Sequence, residues 1–297
     1  MKLLLLGKNG QVGWELQRSL APLGDVVALD RQMVGGDIAD LDCLAQMIRA
    51  MAPDVIVNAA AHTAVDKAES EPELATRLNA EAPEIMAQEA LSLGALLVHY
   101  STDYVFDGGG SHPRKEGDAT APLSVYGKTK LEGENRIAAT GCRHLIFRTS
   151  WVYAARGSNF IKTILKLAQE KEGLSVINDQ WGAPTGADLI ADITSHAIRH
   201  VVANKQDMSL YHLSAGGETN WHSYASYVIQ QARSMRPDIA WAVKNIEGVT
   251  TSKKLECARR PLNSRLDTGK LQSAMHLHLP RWQVGVDRIL HTLLDAD

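Results

Sequence analysis

The chain has little of what marks an extracellular, membrane-spanning or nucleic-acid-binding protein. Its 297 residues hold three cysteines, Cys43, Cys142 and Cys257, far apart in sequence. They make no CxxC pair and no metal-ligand spacing, which argues against a disulfide framework and fits a reducing, cytoplasmic compartment. No apolar run approaches the ~18 residues of a membrane-spanning helix. The N-terminal run Leu3–Leu6 stops at Gly7. That is short of the ~7–15 apolar residues of a secretory signal, so it reads as a buried first strand. Net charge is −3 and no basic stripe stands out, so a nucleic-acid partner has no electrostatic footing. Internal repeats and low-complexity segments are also missing.

What is present is an ordinary balance of 45% hydrophobic and 22% charged residues, enough to bury one large core or one core plus a smaller lobe. In the first half, short apolar runs alternate with helical patterns. Lys2–Leu6, Asp25–Leu29, Val55–Asn58, Leu96–Tyr100 and Leu145–Arg148 read as strands. Gln11–Leu20, Leu41–Ala50, Pro72–Leu93 and Val125–Ala139 read as the helices between them. Continuous apolar strands in alternation with helices predict an α/β fold, a Rossmann-type doubly wound parallel sheet covered on both faces.

Beyond residue 150 the pattern loosens. Asn159–Glu170, Leu189–Val201 and Trp221–Met235 read as helices, Ser175–Asn178 and Leu210–Ser214 as strands, with a less regular stretch to residue 265. Five of the six tryptophans fall here, at 151, 181, 221, 241 and 282. The expected division is a dinucleotide-binding domain over 1–150 and a smaller, mainly substrate-binding lobe over 151–297, with some segments returning to the first domain.

Strand Lys2–Leu6 leads directly into Gly7-Lys-Asn-Gly10-Gln-Val-Gly13 and then a helix. Glycines permit a tight turn and let backbone amides approach a pyrophosphate at the helix N-terminus, where the helix dipole adds attraction. The next strand ends in Asp30, 17 residues after Gly13. An acidic side chain there accepts hydrogen bonds from a ribose 2′-hydroxyl, as in NAD sites. Arg31 follows and suits the 2′-phosphate of NADP instead, so the residues leave NADH and NADPH both open. Asp37 and Ile38 sit where a loop flanks an adenine. The small residues after Asn58, Ala59 to Ala61, allow a cofactor close to the strand end.

Tyr126-Gly-Lys-Thr-Lys130 opens a helix after Ser124, a suitable N-cap. Tyrosine and lysine four apart share a helical face. A carbonyl reduced by hydride needs a proton on its oxygen, which a tyrosine hydroxyl can donate. A neighbouring ammonium lowers the ordinary tyrosine pKa of about 10. Chance supplies ~0.3 such pairs in a chain of this composition. The surrounding strand, glycine loop and helix, with a hydroxyl upstream, give this one its weight. That hydroxyl is Thr102, placed just past the strand Leu96–Tyr100, where it can polarise a carbonyl oxygen. Ser101 is the competing candidate.

These segments, together with Asn58–Glu69, Ser101–Asp107, Phe147–Tyr153, Asn178–Thr185 and Arg259–Arg265, resemble the extended short-chain dehydrogenase/reductases. More narrowly, they resemble the dTDP-4-dehydrorhamnose reductase branch of that family, over nearly the whole chain. The resemblance implies a dinucleotide lined by Gly7, Gly10, Gln11, Val12, Gly13, Asp30, Arg31, Asp37, Ile38, Ala60, Ala61, His62 and Thr63, with Tyr126 and Lys130. It implies Thr102, Tyr126 and Lys130 as the catalytic group, acting on the C4 keto group of a dTDP-bound 6-deoxy sugar. Asp103 and Trp151 would touch that substrate, and Asn159, Phe160, Arg260 and Asn263 would hold its nucleotide diphosphate. The product would serve cell-surface polysaccharide synthesis. Two alternatives stay open: the C4 epimer, 6-deoxy-L-talose, as product, and a non-catalytic regulatory subunit like that of methionine adenosyltransferase.

The resemblance also implies a homodimer and, in part of the family, magnesium held by acidic side chains at the dimer interface. Glu15 and Asp188 match two such positions. The C-terminal segment His291–Asp297 has no glutamate for a third, so no metal ligand is assigned. His196 and His200, spaced i, i+4, lack the HExxH pattern and a third ligand. His276 and His278 alternate with leucines and read as one face of a short strand. Trp181 and Trp221 read as packing residues.

Overall fold

The computed structural model describes residues 1–204, 208–253 and 257–295. Strands β1 (Lys2–Leu6), β2 (Asp25–Leu29), β3 (Val55–Asn58), β4 (Leu96–Thr102) and β5 (His144–Thr149) form one sheet with Met208–His212. Every pairing in that sheet is parallel, in the order Met208–His212, β5, β4, β3, β1, β2. The order reverses between β1 and β3. In a doubly wound sheet the ligand crevice opens at such a switch point, beyond the carboxyl ends of the strands.

Side chains of a strand alternate between its two faces, and the core divides accordingly. Leu3, Leu5, Val55, Val57, Val98 and Phe147 face helices α1 (Gln11–Leu20) and Ala187–Asn204. Leu4, Leu6, Ile56, Leu97 and Ile146 face α2 (Leu41–Met51) and Ala82–Leu93. A fully buried leucine contributes roughly 1.5–3 kcal/mol, so the continuous Leu3–Leu6 run stabilises both layers at once.

The second half builds a separate apolar cluster. Ile161, Ile164 and Leu165 of helix Phe160–Glu170 pack with Tyr224 and Val228 of helix Trp221–Met235 and with Trp282, Val286 and Leu290 of helix Trp282–Leu294. Strand Gly173–Ile177 pairs in parallel with Asn245–Val249 beside it. The stretch expected to be irregular up to residue 265 includes 254–256, outside the described residues.

Three local features differ from the sequence reading. β4 runs two residues further than expected, so Thr102 is its last residue, paired with Thr149, rather than a residue beyond it. The single helix expected over 72–93 is Pro72–Thr76, a π-helical turn Arg77–Glu81, and Ala82–Leu93. Pro83 has no N–H to return to the Asn79 carbonyl, and π turns absorb such mismatches. The Asn79 oxygen instead faces helix Val125–Thr140, where a Cβ on Gly133 would lie 2.1 Å from it. His276 is the left-handed cap, φ 50°, of helix Gly269–Met275, so His276 and His278 form no strand. Trp221 packs as expected, stacked on Trp151 with ring centroids 3.6 Å apart.

Candidate active site

The glycine loop leaves β1 at the switch point. Gly7 has φ +84°, and a Cβ on Gly13 would lie 2.1 Å from the Gly7 oxygen, so α1 can seat this close to β1 only with glycine there. Gly10 caps α1, and no side chain competes for its first amides. Those amides, from Gln11 and Val12 onward, are the donors a pyrophosphate needs. Gly7 N and Lys8 N both donate to the Leu29 oxygen, which holds the loop against the end of β2. Asp30 is thereby brought to the loop: its Oδ2 accepts from Asn9 Nδ2 at 2.7 Å and lies 3.7 Å from Lys8 Nζ.

Other residues expected to line the dinucleotide behave differently from one another. Arg31, Asp37 and Thr63 are exposed at the loop ends. Ile38 points into the core beneath β1 and β2, so only its backbone can face a ligand. Ala60 and Ala61 follow β3 directly beside the glycine loop, where a Cβ on Gly7 would lie 2.8 Å from Ala60 N. His62 is fixed through its backbone: His62 N donates to Asn79 Oδ1 at 2.8 Å, and Asn79 Nδ2 returns a bond to the His62 oxygen at 3.1 Å. The ring Nε2 lies 3.1 Å from Glu71 Oε2.

Thr102, Asp103, Tyr126 and Lys130 converge at the carboxyl edge of β4. Ser124 caps helix Val125–Thr140 by accepting from Gly127 N at 3.2 Å, which fixes the turn carrying Tyr126. Tyr104 meets the Tyr126 ring edge-on at 5.4 Å. The Thr102 hydroxyl accepts from Tyr104 N and donates to Asp103 Oδ1, at 3.2 and 3.1 Å. Ser101, its neighbour in the strand, projects from the opposite face.

Burial dominates the electrostatics here. It pushes the Tyr126 phenol up to about 12; the Thr102 hydroxyl works against that push and the Asp103 carboxylate adds to it. Burial raises the Asp103 carboxyl to about 6 against the pull of Ser264 and Thr102. Burial lowers Lys130 to about 8, with Glu134 acting in the opposite sense. The Lys130 Nζ donates to the Tyr100 oxygen at 2.6 Å.

Residues from the second half close the far side of the site. Trp151 has φ +50° and stacks on Trp221, whose Nε1 donates to Gln180 Oε1 at 3.0 Å. Phe160 joins this group 4.6 Å from the Trp221 ring. Asn159 caps its own helix through Lys162 N and donates to Gln11 Oε1 at 3.3 Å, touching the glycine loop. Arg156 reaches the same loop at the Asn9 oxygen, 3.3 Å away, and covers the Trp14 ring. Arg260 pairs with Asp66 at 2.8 Å, which ties its segment to the short helix Val65–Ala68 after β3. Asn263 is buried with its amide donating to the Gly109 and His112 oxygens, so it braces loops around the site. The sequence reading did not single out Tyr104 or Arg156, because Tyr104 meets Tyr126 through a ring contact and the partner of Arg156, Asn9, lies 147 residues away.

The acidic side chains weighed for magnesium do not fit a cation. Glu15 faces Arg18 at 3.5 Å and Asp188 faces Arg288 at 3.4 Å. Among the described residues no three His, Cys, Asp or Glu side chains gather as a metal set. Of the C-terminal segment 291–297, the last two residues lie outside the described ones.

The sequence profile of the RmlD substrate binding domain family matches residues 1–294. The dTDP-4-dehydrorhamnose reductase of Shigella flexneri is 56% identical over 296 residues, covering 99% of this chain and 98% of the relative. That of Salmonella typhimurium is 57% identical over 293 residues, covering 98% and 97%. Among solved structures, a dTDP-4-dehydrorhamnose reductase from Clostridium acetobutylicum superposes with a TM-score of 0.88 at 34% identity, covering 99% of both chains. The Bacillus anthracis dTDP-4-dehydrorhamnose reductase, solved in complex with NADP, gives 0.87 at 31% identity, covering 98% of this chain and 99% of that one. With a family match over almost its full length and relatives above half identity, the chain belongs to the RmlD substrate binding domain family.

Proposed function

We propose that this chain reduces the C4 keto group of dTDP-4-dehydro-6-deoxy-L-mannose to dTDP-L-rhamnose with NADPH or NADH, the last step in making that sugar donor for cell-surface polysaccharide. The observation that carries the reading is the meeting of Thr102, Tyr126 and Lys130 at the β4 edge, beside a glycine loop open for a dinucleotide. Full-length relatives bearing the reductase name support it.

The nicotinamide, when bound, supplies the hydride. The Gly10–Gly13 turn holds the pyrophosphate by backbone amides, and Asp30 or Arg31 meets the adenosine ribose. Tyr126 donates its phenolic proton to the C4 oxygen as negative charge develops there. Thr102 donates to the same oxygen and polarises it. Lys130 holds the nicotinamide ribose and, as an ammonium, favours the phenolate. Trp151 and Asp103 orient the sugar, and Arg260 faces the diphosphate with a planar pair of donors.

In this reading residues 1–150 are the dinucleotide-binding unit and 151–297 mainly the substrate lobe, which the separate apolar cluster around Tyr224 and Trp282 supports. The working form is a cytoplasmic homodimer. Oxidation of NADPH and NADH in the presence of the keto sugar nucleotide tests the activity, and NMR of the product tests its stereochemistry. No turnover with either cofactor sinks the reading, and a talo product corrects the face of attack.

A further inference from the structure

Lys130 is tied to β4 as well as to its own helix. Besides the Tyr100 oxygen, its Nζ lies 3.1 Å from His99 Nε2. His99 is 1% exposed, and its Nδ1 lies 3.1 Å from Asn58 Nδ2. Asn58 and His99 are direct partners across β3 and β4, so the contact is set by sheet register rather than by a flexible loop.

Counting protons along this chain of contacts gives one answer. The Ala60 N–H can only donate, and it meets Asn58 Oδ1 at 3.1 Å. The Asn58 amide therefore turns its NH2 group toward His99, and an NH2 group only donates. His99 Nδ1 must accept, so the one proton of the neutral ring stands on Nε2. That N–H faces Lys130 Nζ. An ammonium has no lone pair to receive it; an amine has one, and still donates to the Tyr100 oxygen. An imidazolium would set N–H against NH2 at Asn58. Burial holds the ring neutral, and His144 acts in the same direction.

We propose that His99 is a positioning residue that holds Lys130 as a neutral amine against β4, through a ring proton fixed on Nε2 by Asn58. The ammonium forms by taking a proton from water, and doing so breaks the His99 contact and frees Nζ to turn toward Tyr126. The other groups facing this lysine fit that account. Glu134, one turn along the helix, favours the ammonium but is engaged by Arg148 at 2.6 Å. Tyr126 stays a neutral phenol across the physiological range. Burial, against the pull of Glu134, brings Lys130 from 10.5 down to about 8, and an N–H of His99 facing the amine acts in the same direction as burial. The consequence for turnover rests on the reductase reading; the tautomer does not.

NMR of the resting protein with 15N-labelled histidine, assigned by loss of one ring signal in His99→Gln, reads the tautomer directly. The expected result is a neutral His99 protonated on Nε2 from pH 6 to 8. A ring protonated on Nδ1, or on both nitrogens, overturns the proposal. Asn58→Asp keeps an acceptor for Ala60 N but can only accept from His99. The ring proton should move to Nδ1, and the Lys130-dependent limb of kcat against pH should rise by at least about one unit, because the lost N–H and the new carboxylate both favour the ammonium. A moved proton with an unmoved limb overturns the link to Lys130. A wild-type chain that reduces no keto sugar nucleotide removes the reductase reading, while the NMR result stands separately.

Discussion

The Thr102 hydroxyl donates to Asp103 Oδ1 across 3.1 Å while flanking the Tyr126 phenol. The group assigned to polarise the substrate carbonyl is thus shared with a buried carboxyl. A charged Asp103 holds the Thr102 proton more tightly than a neutral one, which ties the protonation of Asp103 to the readiness of the site.

That coupling gives a pH prediction. The Asp103 carboxyl is raised from 3.8 to about 6 by burial, so the folded state binds this proton more strongly than the unfolded chain. Stability from this group is therefore full below about 4 and lost as pH rises toward 6. Asp103→Asn should gain stability relative to wild type over that interval, by about 2–3 kcal/mol for a shift of this size. Urea denaturation of both proteins at pH 4.5 and 7.5 measures the difference. An equal gap at both pH values would mean that Asp103 titrates normally.

Tyr126→Phe removes the proton donor and leaves the glycine loop untouched. kcat should fall by roughly 10²–10⁴-fold with cofactor binding nearly intact, read by stopped-flow turnover and cofactor fluorescence titration. Undiminished turnover would remove Tyr126 as the acid. Lys130→Ala should weaken both rate and cofactor affinity, because Lys130 carries both roles.

Trp151 rests on Gly182, where an added Cβ would lie 2.8 Å from the indole. Gly182→Ala should push the ring off its stack with Trp221 at a cost of about 1–3 kcal/mol. The expected signature is a raised KM for the sugar nucleotide, unchanged KM for the cofactor, and altered tryptophan fluorescence. Unchanged kinetics would show that the Trp151 stack does not shape the sugar site.

The arginines facing Glu15 and Asp188 predict indifference to divalent metal. Exhaustive treatment with a chelator should leave activity and Tm unchanged, and added magnesium should restore nothing. A Tm drop reversed by magnesium would contradict this arrangement.

Much of the fold was legible because the determining signals are local. Apolar strand runs, the turn glycines and the Ser124 cap each act within a few residues, and β1, β2, β3, α1 and helix Trp221–Met235 match their expected bounds. The π turn was not legible. It depends on Pro83 and on the close approach of Gly133 from another helix, about 50 residues on. The extra length of β4 depends on pairing with β5, a partner outside any local window. His276 was misread because alternation with leucines looks the same in a strand and in a helix followed by a left-handed cap.

For the site, the sequence alone determined the chemical types: a phenol and an amine one helical turn apart, a hydroxyl at a strand end, and a glycine turn with an acid after the next strand. Tertiary structure decided their relations. Ladder register set Asn58 beside His99, whose ring also reaches Lys130. Burial, which no single segment encodes, moved Tyr126, Asp103 and Lys130 away from their ordinary titration. The stack of Trp151 on Trp221 joins residues 70 positions apart. Such contacts arise from packing among distant elements, whereas local periodicity reports only which face of an element is apolar.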